Sequence, residues 1–268
     1  MTAVRSIMSP SPALKQQARV LLATAWIELR KRYAGTFLGP LWLLLYPALF
    51  LSMYMFLYMV VFKVRFPELS EFSYVVFVFC GLVPYIAMME TSAFAASVIR
   101  QNMHLIRNVM LPIELLPARV ALTACIAQIP GLLILLTLSA IDNSLSAKAL
   151  LLPLVMIIEL IFFLGLAFWL AALGGLLPDL QAAINIILIF LLFISPIAFP
   201  PEMVPDSARL VIQLNPVSYL IGLFRAVVLA HQALSWGTLA AAGAISVLTF
   251  ASGFAFFRRF KSYIVDHE

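Results

Sequence analysis

Long apolar runs separated by short polar breaks set the pattern of this chain. Six runs, at residues 37–62, 72–98, 113–141, 149–177, 181–199 and 236–257, approach or exceed the length of a membrane-crossing helix. A bilayer core of about 30 Å takes about 20 helical residues at about 1.5 Å each. The runs lack the strict alternation of a membrane barrel. The expected fold is therefore an all-α membrane protein with six transmembrane helices, forming one transmembrane domain over residues 1–268.

Three segments do not read as spans. Over residues 13–34, Leu14, Ala18, Leu21, Leu22, Ala25, Trp26 and Leu29 recur at helical spacing, with Lys15 and Arg32 at the edges of the stripe. This predicts an interfacial helix lying along the membrane surface. Residues 100–112 form the longest interior loop on the same side, where Met103, Ile106 and Met110 could line one face of a short helix. Residues 200–235 hold two apolar pieces too short to span, separated at Asn215-Pro216 because a residue before proline is pushed out of the helical region. Asp206 or Ser207 could cap the first piece and Ser218 the second. Two short helices re-entering the outer leaflet fit this pattern.

Composition removes other classes. Hydrophobic residues make up 64% of the chain and charged residues 11%, against roughly 25% charged in an average soluble domain. Mean hydropathy is +1.06. A soluble enzyme, a disordered chain and a nucleic-acid-binding domain are excluded as first readings, because the polar skin they need is missing. The net charge of +5 instead fits the cytoplasmic bias of Lys and Arg in membrane proteins. Arg5, Lys15, Arg19, Arg30, Lys31, Arg32, Arg100, Arg107, Arg119, Arg258, Arg259 and Lys261 fall on one side, and Lys63, Arg65, Lys148, Arg209 and Arg225 on the other. Six spans then place both termini in the cytoplasm. The first residues lack an apolar signal-peptide core, so the N-terminus is expected to remain.

The chemistry is sparse. No G-x-x-x-x-G-K-[ST] loop is present to cradle ATP phosphates. His104, His231 and His267 are scattered, and Cys80 and Cys125 read as buried thiols, so neither a metal site nor a catalytic grouping is expected. Glu90 and Glu159 lie within spans, either as functional carboxylates or as partners of a neighbouring helix. Trp42, Tyr46, Phe50, Tyr54, Tyr58 and Phe62 recur every fourth residue. Each step turns about 40°, so the six spiral by about 200° and cannot all face one straight pore. They read either as a partial sugar-stacking track or as lipid-facing and packing aromatics. Arg30, Lys31, Arg32 and Tyr33 read as a topological anchor or as a capture point for an anionic lipid headgroup. Gly35 and Gly39 form a small-x-x-x-small pair that would allow close helix approach.

Several of these motifs carry a resemblance. Arg32-Tyr33, Leu38-Gly39, Trp42 and Pro47 are similar to the first-span pattern R-Y-x-x-x-x-L-G-x-x-W-x-x-x-x-P of ABC transporter permeases of the polysaccharide-export type, which export O-antigen, capsule and teichoic acid. Residues 102–117, with Pro112, Leu116 and Pro117, resemble that family's loop after the second span. Ser195-Pro196-Ile197 with Pro205 resembles the end of its fifth span, and Asn215-Pro216 with Arg225 its outer re-entrant region. One position departs: Asp179 is present, but Pro178 stands where many members carry Arg, so a contact made by that Arg does not carry over.

The resemblance implies a homodimer with two copies of a separate ABC ATPase, which would bind ATP and Mg, while this chain holds no cofactor. It implies a lipid-linked polysaccharide substrate, a bacterial inner-membrane location, and no nucleic acid partner. The conduit would involve Trp42, Tyr46, Phe50, Tyr54 and Tyr58. ATPase coupling would fall to Arg100, Asn102, His104, Arg107 and Asn108, and the periplasmic gate to Pro196, Pro205, Asn215, Pro216 and Arg225. Two other classes remain in view: a type-2 ABC permease for a small lipid or drug, and an ion-coupled secondary transporter using Glu90 or Glu159.

Overall fold

The computed structural model describes residues 12–63, 70–108, 112–177, 179–200 and 203–267. Among them the chain is helical, in the order α1 (Pro12–Tyr33), α2 (Trp42–Met55), α3 (Glu71–Ala95), α4 (Val98–Gln101), α5 (Met103–Asn108), α6 (Leu115–Ile141), α7 (Leu152–Leu176), α8 (Leu180–Ile194), α9 (Asp206–Leu214), α10 (Pro216–Val228) and α11 (Trp236–His267). Pro178, Met110 and the side chains of Leu14, Ala18, Arg107 and Asn108 lie outside the described residues.

Helix α3 is the centre of the bundle. It is apolar all round, and every residue from Val76 to Met88 is buried, as expected of a helix without a polar face. Ser70 starts it by accepting a hydrogen bond from the Ser73 amide at 3.0 Å. Helices α2, α6, α7, α8 and α10 pack around it. Helix α11 packs along α7, where Gly165 and Gly253 let the backbones nearly touch. A Cβ on Gly165 would lie 2.4 Å from Phe250 N, and one on Gly253 would lie 2.3 Å from Gly165 O. Around this seam Phe168 meets Phe250, Phe254 and Phe257 edge-on or tilted, and Trp169 stacks on Phe256.

Five of the six expected spans correspond to helices of membrane-crossing length, and the expected fifth is shorter. Among the described residues, Gly39–Val61, Glu71–Ala95, Leu115–Ile141, Ala147–Leu176 and Trp236–Lys261 are long and apolar enough to cross a membrane. Helix α8, the expected fifth span, has 15 residues, or about 22 Å at about 1.5 Å each. It stops because Ser195 precedes Pro196 and adopts an extended backbone with ψ 142. The first span ends in a π-helical turn, Phe56–Val61. That turn rotates the later side chains away from strict helical register.

Local details depart from the sequence pattern in three more places. Gly35 and Gly39 are not on a helix face. They sit at φ 81 and φ 50 in the turn joining α1 to α2, a left-handed region that suits glycine. Neither Asp206 nor Ser207 caps α9: Pro205 precedes it, and Asp206 pairs instead with Arg209 at 3.0 Å. Helix α10 is capped by Asn215, not Ser218, through its side-chain oxygen and the Val217 amide at 3.0 Å. The segment after α3 forms two short helices, α4 and α5, with the break at Asn102.

Candidate functional site

Helix α1 places cations against one end of the bundle. Ala25 and Leu29 are buried, with α1 packed on α6, while Leu22 and Trp26 stay 55% and 49% exposed. The apolar stripe therefore divides, one edge on protein and one free for lipid. Arg30 and Lys31 point outward, and the Arg30 guanidinium lies 5.2 Å from the Trp26 ring centroid. Arg32 turns inward. Its Nη1 donates to Glu90 Oε2 at 3.4 Å, and its guanidinium lies 3.8 Å from the centre of the Phe94 ring. The partner of Glu90 is thus a residue 58 positions upstream. Burial raises the Tyr33 phenol above its ordinary pKa, with the Glu90 charge adding to the effect.

Two cavities flank this junction. One of about 340 Å³ is lined by Trp26, Leu29, Arg30, Tyr33, Pro40 and Leu43. It is an apolar slot with a cation at its rim, a form suited to an amphiphile's chain and headgroup. A narrower one of about 30 Å³ lies between Trp42, Tyr46, Glu90 and Gln128, large enough for one or two waters. Gln128 continues the polar thread into the core, where its Nε2 donates to Glu159 Oε2 at 3.0 Å. Glu159 is fully buried in α7.

The members of the aromatic series do not share one environment. Tyr46 is 43% exposed and Tyr54 3%. Trp42, Phe50 and Tyr58 are half-buried. Neighbouring rings pair, Tyr46 with Phe50 at 6.1 Å and Tyr54 with Tyr58 at 5.0 Å between centroids. In the segment expected to couple to an ATPase, Asn102 is half-buried and His104 exposed, and Met103 and Ile106 pack against the core. Arg100 is half-buried on α4.

At the opposite end, three of the expected gate residues meet. Arg225 is buried in α10 and reaches back to the turn after α8, donating from Nη1 to Pro196 O at 2.7 Å and from Nη2 to Ile197 O at 2.6 Å. Its guanidinium also stacks 3.6 Å from the centre of the Phe77 ring. Asn215 Nδ2 donates to Ser195 Oγ at 3.0 Å. Pro205 and Pro216 stay exposed and outside this knot.

Residues not expected at a site also gather at the α1 end of the bundle. Arg119, near the start of α6, lies 3.7 Å from Glu28 and 3.4 Å from Asn102. Glu114, just before α6, accepts from Lys261 Nζ at 2.6 Å. Burial alone would raise the Glu114 carboxyl, but the Lys261 hydrogen bond, a backbone hydrogen bond and the charges of Lys261 and Arg258 hold it below the usual range. A charged residue placed inside an apolar run was the available signal for Arg119.

A family model described as ABC-2 type transporter matches residues 19–229. The chain belongs to that family. This ABC-2 family member is 31% identical, over 88% of its length and 90% of the relative's, to the O-antigen export system permease protein RfbA of Myxococcus xanthus. It is 25% identical to a protein of the same name from Klebsiella pneumoniae, over 72% of this chain and 74% of that one. It is also 25% identical to the polysialic acid transport protein KpsM of Escherichia coli, over 86% of this chain and 89% of that one. As an ABC-2 chain with several apolar helices, it is a multi-pass membrane protein.

Proposed function

We propose that the chain is the membrane subunit of an ATP-driven exporter that moves a lipid-linked surface polysaccharide out of the bacterial cytoplasm. The observation that carries this reading is the likeness to an O-antigen export permease over 88% of the chain. ATP and Mg would be bound by a separate ATPase, and two copies of this chain with two of the ATPase would form the complex. The chain's own part is mechanical. Lipid-linked substrate approaches Arg30 and Lys31 and lays its apolar chain along the slot between α1 and α2. Helices α4 and α5 take up the ATPase's motion, and the bundle alternates between two discrete arrangements.

In this reading α8 is the sixth crossing. A helix of about 22 Å is short for a core of about 30 Å, but local bilayer thinning accommodates such mismatch at modest cost. An even count puts both termini on the cytoplasmic side, along with α1, α4 and α5. Helices α9 and α10 then lie at the outer surface as the gate. Co-purification with the ATPase, followed by ATP hydrolysis assays with lipid-linked glycan, tests the reading. Stimulated hydrolysis and loss of surface glycan on gene deletion are expected. Stimulation by a small lipid alone, or polymer transport without any ATPase, would overturn it.

A further inference from the structure

Between α1, the end of α3, α4 and the start of α6 lies a third cavity, a polar one of about 110 Å³. On the same scale one water needs roughly 10–15 Å³, so the space suits a larger group. Glu28, Arg32, Phe94, Gln101, Asn102 and Arg119 line it. The two guanidinium groups are its most enclosed charges, with side chains 10% exposed for Arg32 and 14% for Arg119. Glu90 and Glu28, which face them, are 23% and 30% exposed.

The arginines are weakly engaged for groups so enclosed. Each guanidinium carries five N–H donors. Arg32 reaches Glu90 at 3.4 Å, and Arg119 reaches Asn102 at 3.4 Å and Glu28 at 3.7 Å. Charge-assisted bonds of this kind close to about 2.7–2.9 Å when well made. The buried Nε atoms of both arginines have no hydrogen-bond partner among the described residues. The amides are already committed: Gln101 Nε2 donates to Ser97 at 3.0 Å, and Asn102 Nδ2 to Val98 O at 2.7 Å. Enclosed positive charge with spare donors favours an added anion over further protein contacts.

We propose that Arg32 and Arg119 form an anion site for a phosphate or diphosphate group, with Glu28 and Glu90 as displaceable internal competitors. Arg119 also contacts Asn102, the residue at the break between α4 and α5. An anion drawing Arg119 into the cavity loosens that contact, so occupancy is transmitted to the coupling segment. The anion site stands on this geometry alone, whereas its assignment to the headgroup of the exported lipid rests on the proposed function.

The test uses the full chain in nanodiscs of zwitterionic lipid, titrated calorimetrically with inorganic pyrophosphate and, separately, with a polyprenyl diphosphate. Arg119→Gln should weaken pyrophosphate binding by roughly tenfold or more, the effect of losing one charge-assisted hydrogen bond. Glu28→Gln removes a competitor and should tighten binding several-fold, a gain that misfolding cannot produce. If pyrophosphate does not bind, or binds equally to wild type and both variants, the site is refuted. If the polyprenyl diphosphate follows the same variant pattern, the ligand is a lipid headgroup. If only pyrophosphate does, the anion site holds and its headgroup assignment falls. Surface glycan is scored in parallel in cells: unchanged surface glycan on deletion of the gene sinks the functional reading, while gene-dependent export with no pyrophosphate binding sinks only the cavity.

Discussion

Arg225 Nη1 donates to the Pro196 carbonyl at 2.7 Å, across 29 residues of chain. With the neighbouring bond to Ile197 and the stack on Phe77, it ties α10, the turn after α8 and α3 into one unit. The planar fork of arginine serves adjacent carbonyls at once, which a lysine ammonium on a flexible stem does not reproduce. Arg225→Met should leave buried carbonyls unpaired, at about 1–3 kcal/mol each. The expected result is a marked fall in thermal midpoint in detergent, with a smaller fall for Arg225→Lys. Equal midpoints for all three proteins would show that the knot does not hold α10 to the rest of the bundle.

The apolar runs made the bundle legible because a bilayer accepts few alternatives to a long apolar helix. The end of α8 was less so: residues 195–199 continue the apolar pattern, and only the geometry before Pro196 stops the helix. The sites were legible as residue types more than as partnerships. Arg32 stood out as a cation and Glu90 as an intramembrane acid, yet their pairing depends on how α1 folds onto α3. Arg119 counted only as a positive charge, since its burial follows from α1 covering the start of α6. Arg225 was marked by resemblance, while its role as a clamp comes from the path of the turn after α8.

Glu159 is fully buried and accepts one hydrogen bond, from Gln128. No cation contacts it among the described residues. A neutral carboxamide keeps the shape and the bond, so Glu159→Gln should preserve the thermal midpoint. Gln128→Leu strips the carboxyl of its donor and should lower the midpoint, by about 1–3 kcal/mol or more in unfolding free energy. A larger loss for Glu159→Gln than for Gln128→Leu would mean that the charge itself is required.

Glycine positions separate close packing from open space. A Cβ on Gly174 would stand 1.8 Å from the Ala96 carbonyl oxygen, whereas one on Gly222 meets nothing within 4 Å. Gly174→Ala should therefore push α7 off the end of α3 and lower the yield of folded protein. Gly222→Ala, inside α10, should be neutral or add about 0.5–1 kcal/mol. Purification yield and detergent melting curves read both. Similar behaviour of the two variants would refute the close contact at Gly174.

The Glu114–Lys261 pair predicts a direction with pH. Its carboxyl is held below its ordinary value in the folded chain, so its stabilisation is present above the unfolded carboxylate pKa of about 4.3 and is lost as pH falls through the folded value. Glu114→Gln should lower the melting midpoint at neutral pH. The gap to wild type should close only below the ordinary carboxylate range. A gap that widens on acidification would reverse the sign and exclude the pair as its source.

The exposure of the aromatic series divides what its members can do. Tyr54 is 3% exposed and touches Tyr58 inside the bundle. Tyr54→Ala removes a large packed side chain, at about 3–5 kcal/mol for an aromatic deletion. Tyr46 is 43% exposed, so Tyr46→Ala removes little packing. Under the sugar-track proposal, Tyr46→Ala and Phe50→Ala should reduce surface glycan more than they reduce the amount of complex recovered with the ATPase. Tyr54→Ala should reduce both together. The two effects separate because weak stacking sites act on the moving polymer, whereas a buried ring acts on the bundle. Full export by the Tyr46→Ala, Phe50→Ala double variant would assign these rings to lipid contact and leave the conduit to other residues.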